Sequence, residues 1–212
     1  MRRALVLVFL FLKIALFALF LGALSGCGEL EESDRCGAAI SSGYLASQDC
    51  QPLSWGSLPI SLAKDRSLPA ELSIAIDEAI DIWERETGLD LFQTVEGGSQ
   101  NTVTTRVAAE WGTEPVFGKN EEPAKTVYLY QKNRLFDTDI FFNQAFHFST
   151  NGRVGTFDAT TICLHELGHV LGLDHDNNSS PEQSIMNSQI HKNETRPLSQ
   201  RDVERVHRLY GF

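Results

Sequence analysis

Apolar residues recur at helical spacing in the stretch that follows Ser67-Leu68-Pro69. Proline suits the first turn of a helix, and Gly88 can end one. Between them, one face repeats apolar residues three or four positions apart: Leu72, Ile76, Ala79, Ile80 and Trp83. The pattern predicts an amphipathic helix whose apolar face belongs to the core.

Two further helices are predicted towards the C-terminus. Asp158 is a suitable N-cap for a helix over residues 160–171, because its side chain can accept hydrogen bonds from the first turn. Ser199 begins the last helix, in which Asp202 is favourable near the positive N-terminus. The apolar face of that helix consists of Val203, Val206 and Leu209.

Short β-rich or alternating runs lie mainly between the first two helices. They predict strands over residues 101–109, 125–131 and 138–143, after an earlier strand over residues 58–63. Helix and strand signals therefore alternate along the chain. The prediction is an α+β domain with a small sheet.

The N-terminus has the pattern of a secretory signal, because Arg2-Arg3 precedes an almost wholly apolar run over residues 4–24. About twenty such residues could also span a bilayer uncleaved, although Lys13 would be costly at full membrane depth. The tetrapeptide Leu24-Ser25-Gly26-Cys27 resembles the lipobox of bacterial lipoproteins, in which cleavage leaves the cysteine lipidated. This resemblance favours a cleaved lipoprotein signal over residues 1–26 rather than an uncleaved anchor or an ordinary secretory signal.

The charge of the remaining chain excludes some partners. The whole chain has 18 basic and 28 acidic side chains, and residues 1–26 contain three of the basic ones and none of the acidic. The excess of negative charge argues against nucleic acid and against an anionic membrane surface as partners. We expect residues 27–52 to be a lipidated tether and residues 53–212 to be one monomeric domain with a sizeable core.

Residues 165–175 carry the chemistry. They read His-Glu-Leu-Gly-His-Val-Leu-Gly-Leu-Asp-His and match the zinc motif H-E-x-x-H-x-x-G-x-x-H. His165 and His169 are four apart, so on a helix both imidazoles project from one face and can bind one ion. His175 would point away from that face on a continued helix. Gly172 can adopt the left-handed conformation that ends the helix and returns His175 to the metal.

Three neutral histidines leave one position of a tetrahedral zinc open to water, as in catalytic rather than structural sites. Zinc lowers the pKa of that water to about 7. The carboxylate of Glu166 can take a proton from this water during attack on a carbonyl and deliver it to the leaving amine. A closed structural site would need a fourth ligand, and Cys163 would lie about 200° round the helix from His165.

These residues resemble the active site of the metzincin metalloproteases, and especially of the matrixin-like bacterial members. Ser184-Ile185-Met186-Asn187 resembles their Met-turn, with Met186 beneath the metal, and residues 198–211 resemble their closing helix. The resemblance covers roughly residues 53–212. It implies a zincin-like α+β catalytic domain, in which a small, twisted, mostly parallel sheet packs with an N-terminal helix and an active-site helix, and a C-terminal helix closes the fold.

The chain also departs from the matrixin pattern. Asp176 follows the third histidine, where matrixins usually have Ser or Thr and adamalysin-like metzincins have Asp. Animal matrixins bind a second, structural zinc through histidines upstream of the active helix, where this chain has His147 alone. We therefore expect one zinc. Calcium stays unassigned, because no D-x-D-x-D-G loop is present.

Two cysteines lie in the predicted tether. Arg35-Cys36-Gly37 resembles the cysteine switch of matrixin propeptides, in which a thiolate occupies the open position of zinc and keeps the enzyme latent. An exported chain can instead pair Cys36 with Cys50 in a disulfide, which would close a loop of about 15 residues and contribute about 3 kcal/mol. The disulfide is the preferred interpretation, with a switch or two free thiols as the alternatives.

The resemblance implies a zinc-dependent endopeptidase that hydrolyses peptide bonds of protein or peptide substrates, bound along a sheet edge above the active-site helix. Lipid on Cys27 would attach it to the membrane of a bacterial cell envelope on the extracytoplasmic side. In bacterial lipoproteins, an Asp after the lipidated cysteine retains the protein at the inner membrane. This chain has Gly28 at that position, which indicates the outer membrane. The alternative is a zinc-stabilised, lipid-anchored surface binding module without proteolysis, which would have no need of Glu166.

Overall fold

The computed structural model describes residues 36, 43–66, 68–97, 99, 101–106, 122–177 and 184–211. The predicted signal peptide and the lipidation site Cys27 lie outside the described residues. Within the part of the chain that is described, no helix has both the length and the apolar character needed to cross a membrane.

Strands and helices alternate along the described chain. In order they are β1 (Ile60–Lys64), α1 (Ala70–Thr87), β2 (Phe92–Val95), β3 (Thr102–Arg106), β4 (Ala124–Gln131), β5 (Arg134–Asn143), β6 (Phe148–Ser149), β7 (Phe157–Asp158), α2 (Ala159–Val170) and α3 (Gln200–Tyr210). The three predicted helices are confirmed, and β1, β3, β4 and β5 occupy the predicted strand regions. The short strands β2, β6 and β7 were not predicted.

Five of the strands form one sheet in the order β2-β1-β3-β5-β4. Strand β1 pairs in parallel with β2 and β3, and β3 pairs in parallel with β5. Strand β4 runs antiparallel to β5 and forms an edge of the sheet. The predicted α+β class with a mostly parallel sheet is therefore confirmed.

The core lies where α1 packs against the sheet and against α2. The predicted apolar face of α1 is buried along its whole length, and the helix ends at Gly88, which has a φ of +69°. Trp83 of α1 is fully buried, and its Nε1 donates a hydrogen bond of 3.0 Å to the carbonyl oxygen of Leu164 in α2. Each large apolar side chain buried in this way contributes about 1.5–3 kcal/mol. This packing fixes α2 in the centre of the molecule.

Residues 43–54, which we call the N-terminal segment, pack on the domain. Tyr44 and Leu45 are buried, although both belong to the predicted tether. The N–H of Leu53 donates to the carbonyl oxygen of Leu45 at 2.7 Å, so the segment folds back on itself. The boundary at Leu53 stays a prediction, and contacts extend across it.

Candidate metal centre

Helix α2 carries two of the three motif histidines. Asp158 is its N-cap, as predicted, because its Oδ1 accepts hydrogen bonds from the N–H of Thr161 at 2.8 Å and from its hydroxyl at 2.7 Å. Nearly every residue of α2 is buried, since α1 packs on one side of the helix and β4 lies on another. The packing on both sides therefore holds the side chains of the helix in place.

The side chains of the three motif histidines converge. Nε2 of His165 lies 3.2 Å from Nε2 of His169 and 3.3 Å from Nε2 of His175. His165 and His169 are buried, and His175 is partly buried. Across the described ranges, these three residues form the one group of at least three side chains with the spacing of a metal site.

The other ring nitrogens show how these imidazoles are protonated. Nδ1 of His165 lies 2.8 Å from the carbonyl oxygen of Ile185, and Nδ1 of His169 lies 2.8 Å from that of Leu173. A carbonyl oxygen can only accept, so Nδ1 carries the proton and the two Nε2 atoms turn bare lone pairs towards each other. Ligand nitrogens about 2.0–2.1 Å from a tetrahedral zinc would be about 3.3–3.4 Å apart. The donor set and its spacing therefore fit zinc.

Burial favours the neutral imidazole that binds metal. It lowers the pKa of His165 to about 3, and the nearby His175 adds to this effect. Burial also lowers the pKa of His169 well below its ordinary value, and that of His175. Because metals compete with protons for the same nitrogen, a lowered pKa leaves the ligand atoms available near neutral pH.

His175 reaches the other two histidines because the chain turns sharply after α2. Gly172 has a φ of +95°, in the left-handed region that favours glycine. Its N–H donates to the carbonyl oxygen of His169 at 2.9 Å, which closes the end of the helix. A side chain at position 172 would also clash with the carbonyl oxygen of Leu53. Glycine thus serves both the turn and the close approach of the N-terminal segment.

Glu166 is buried beside the histidines. Its Oε2 accepts a hydrogen bond of 2.6 Å from the hydroxyl of Thr126 in the edge strand β4. Burial raises the pKa of Glu166 to about 7, and the negative charge of Glu122 adds to this, whereas the bond from Thr126 and the charge of Lys125 lower it. A carboxyl group with such a pKa can accept and release a proton near neutral pH. No local sequence signal marked Thr126 as its partner.

The predicted Met-turn lies against α2. Met186 is fully buried, and a side chain on Gly168 would clash with its sulfur, so the thioether packs closely on the helix. Asp202 of α3 fixes the turn, because its carboxylate accepts from the hydroxyl of Ser184 at 2.6 Å and from the N–H of Ile185 at 2.9 Å. Asp202 also forms a capping box with Ser199, the predicted N-cap of α3.

A cleft runs over the histidines. One wall consists of residues 122–126, at and before the start of β4, and the other includes Ser188 and Ile190. Arg196 is buried behind the second wall, where its guanidinium donates to the carbonyl oxygens of Asn187 at 2.9 Å and Gln189 at 2.7 Å. Sequence reasoning missed this role of Arg196.

The remaining predicted site residues are cysteines. Cys36 and Cys50 form a disulfide, with their Cα atoms 5.1 Å apart. Cys163 is a buried free thiol whose pKa is raised by burial, and it lies outside the histidine group. Its position agrees with the helix geometry expected from the sequence, which places it away from His165.

Comparisons with known proteins point in the same direction as this geometry. The family model described as Matrixin matches residues 59–211. Stromelysin-2 of Rattus norvegicus is 31% identical over 149 residues, which cover 68% of this chain and 29% of that protein. Matrix metalloproteinase-26 of Homo sapiens is 27% identical over 145 residues, covering 68% of this chain and 52% of that protein. Stromelysin-1 of Equus caballus is 27% identical over 137 residues, which cover 64% of this chain and 28% of that protein.

Proposed function

Because the chain belongs to the matrixin family, we propose that it is a zinc-dependent endopeptidase that hydrolyses peptide bonds of protein substrates. The convergence of His165, His169 and His175 on one point carries this proposal. These three residues would hold the zinc. When bound, zinc would polarise the carbonyl group of the scissile peptide and acidify a water molecule. The chain spans only 28–52% of the length of the relatives compared above, so the activity as a whole is a proposal.

Glu166 is the proposed general base. It follows the ligand His165 directly, and the hydroxyl of Thr126 orients its carboxylate. From this position the carboxylate can accept a proton from an attacking water molecule and pass it to the leaving amine.

The edge of the sheet is the proposed binding surface for the substrate backbone. Strand β4 is an edge strand, and its residues Ala124, Lys125 and Thr126 line the cleft beside the histidines. An extended peptide can add to such an edge through main-chain hydrogen bonds. The apolar side chains of Ile162 and Ile190 in the cleft would contact the side chains of the substrate.

The test of this proposal compares the wild type with Glu166→Ala, and uses Glu86→Ala, an exposed glutamate of α1, as the matched control. We expect one zinc per chain in all three proteins. Cleavage of casein should fall by at least about 100-fold in Glu166→Ala, because loss of a general base typically costs 100- to 10,000-fold. The control should cleave like the wild type.

Three outcomes would contradict the proposal in different ways. A folded wild type without zinc would exclude the metal site. Unchanged cleavage by Glu166→Ala would exclude its role as the base. A wild type that carries zinc but cleaves neither casein nor a peptide library would favour the binding module instead.

We also propose that lipid on Cys27 anchors the protein to a bacterial cell envelope, at the outer membrane and on the extracytoplasmic side. The support is the lipobox-like tetrapeptide that ends at Cys27 and the glycine that follows it. Labelled fatty acid should enter the wild type and be absent from Cys27→Ser. Equal labelling of the two proteins would contradict the anchor.

A further inference from the structure

Residues 172–174, which we call the third-ligand loop, connect the end of α2 to His175 and are bound by the N-terminal segment. The N–H of Leu45 donates to the carbonyl oxygen of Gly172 at 2.9 Å, and the N–H of Asp174 donates to that of Gly43 at 2.8 Å. Tyr44 and Leu173 form an antiparallel bridge between these two bonds. The loop is therefore bordered by a segment about 130 residues earlier in the chain.

Arg205 of α3 contacts both the third-ligand loop and the N-terminal segment. Its guanidinium is 3% exposed, and Nη2 donates to the carbonyl oxygen of Asp174 at 2.8 Å and to the carbonyl oxygen of Gly43. The ring of Tyr44 lies 5.7 Å from its Cζ atom. One side chain thus joins the residue immediately before His175, the N-terminal segment and α3.

Two buried carboxylates lie on the other side of the same guanidinium. Nη1 of Arg205 lies 3.9 Å from the carboxylate of Asp176 and 3.7 Å from that of Asp202. Asp176 directly follows His175, and its carboxylate accepts a hydrogen bond from Arg201, with Arg205 as a second, more distant cation. Asp202 holds the Met-turn, whose Ile185 carbonyl oxygen contacts Nδ1 of His165.

The geometry of this pairing distinguishes arginine from lysine. Nη2 of Arg205 donates both hydrogen bonds to the carbonyl oxygens, and Nη1, held in the same rigid plane, faces the two carboxylates at 3.7–3.9 Å without a hydrogen bond. The ammonium group of lysine has a single nitrogen, so it cannot take the positions of Nη2 and Nη1 together.

We propose that Arg205 is a positioning residue for His175, and that the N-terminal segment completes the zinc site through it. The inference rests on the proposed function, because it assigns both parts a role in zinc binding. His165 and His169 do not depend on Arg205 in the same way, since both project from the rigid helix α2. Loss of the guanidinium therefore changes the position of one ligand of three.

The experiment measures zinc affinity by competition with a coloured chelator in the purified, disulfide-bonded protein. Arg205→Lys is compared with Arg208→Lys, a 70% exposed arginine one turn further along α3. We expect the dissociation constant of zinc to rise about 10- to 100-fold in Arg205→Lys, as for other residues that orient a metal ligand, and to stay unchanged in Arg208→Lys.

Cobalt(II) provides a readout that a general loss of stability would not change. Its visible absorption depends on the number and arrangement of the ligands, so at saturating cobalt the spectrum of Arg205→Lys should differ from that of the wild type. Tyr44→Ala tests the N-terminal segment independently, and we expect a similar loss of zinc affinity.

Each result has a separate meaning. Wild-type zinc affinity and an unchanged cobalt spectrum in a folded Arg205→Lys protein would overturn the inference and leave the proposed function standing. If Arg205→Lys does not fold, Tyr44→Ala decides, and wild-type affinity in that variant would overturn the inference. A wild type that binds no zinc would refute the proposed function itself.

Discussion

The two helical ligands and the loop ligand meet at one point but depend on different parts of the chain. His165 and His169 project from α2, and their spacing follows from the helix alone. His175 lies beyond a glycine turn and is bordered by the N-terminal segment and by α3. Local sequence thus determines the spacing of two ligands, whereas contacts between distant residues determine where the third one lies. Remote substitutions should affect metal binding mainly through His175.

The largest expected effect comes from removing one metal ligand, either from helix α2 or from the loop that carries His175. Zinc binding to closed four-ligand sites is worth roughly 10–16 kcal/mol, so one ligand contributes about 3 kcal/mol or more. His169→Ala and His175→Ala should each weaken zinc binding by at least about 100-fold in a calorimetric titration.

The metal-free proteins should separate the two ligands. His169 is 2% exposed, so truncation leaves a cavity and should cost about 2 kcal/mol of unfolding free energy, whereas His175 is partly exposed and should cost less. Denaturant unfolding in the presence of a chelator measures this difference. Equal destabilisation by the two substitutions would remove the distinction.

Substitutions of two glycines test the same comparison between helix and loop. Gly172→Ala places a side chain against a backbone carbonyl oxygen at a φ of +95°, and we expect a loss of about 2–4 kcal/mol of unfolding free energy. Gly168→Ala meets the flexible side chain of Met186 instead, and we expect about 1–2 kcal/mol. Urea unfolding of both variants would test this order, and a larger loss for Gly168→Ala would reverse it.

The smallest expected effect concerns helix α2, which carries His165 and His169. Asp158→Ala removes the N-cap of α2 and should cost about 1 kcal/mol of unfolding free energy, as N-caps typically do. Zinc affinity should stay within twofold of the wild type, because six residues separate the cap from His165. Asp158→Asn keeps an accepting oxygen and serves as the control. A large loss of zinc affinity in Asp158→Ala would mean that the helical ligands also depend on distant support.

The features predicted from sequence are those that short-range rules determine. The N-caps Asp158 and Ser199, the end of α1 at Gly88 and the apolar face of α1 follow from residues within a few turns of one another. The three-histidine spacing is equally local. Strand β2 was missed because it has four residues, of which only the first is buried, so it lacks an alternating pattern.

The parts of the site that sequence reasoning missed depend on long-range contacts. Thr126 and Glu166 are 40 positions apart, and Arg205 and Gly43 are 162 positions apart. A threonine in a strand and an arginine in an amphipathic helix are each ordinary by themselves. Thr126 and Arg205 have a role at the metal centre only because β4 packs against α2 and the N-terminal segment packs against α3.

The disulfide has a mechanical consequence for a chain that is pulled from its N-terminus. Tension on any residue before Cys36 passes through the S–S bond to Cys50 and then to Leu53, because this covalent route is much shorter than the intervening chain. Residues 37–49 lie in parallel with that route and carry almost no load. Tyr44 and Leu45, which bind the third-ligand loop, belong to this unloaded stretch. Force applied before Cys36 would therefore bypass the contacts that Tyr44 and Leu45 make with the third-ligand loop.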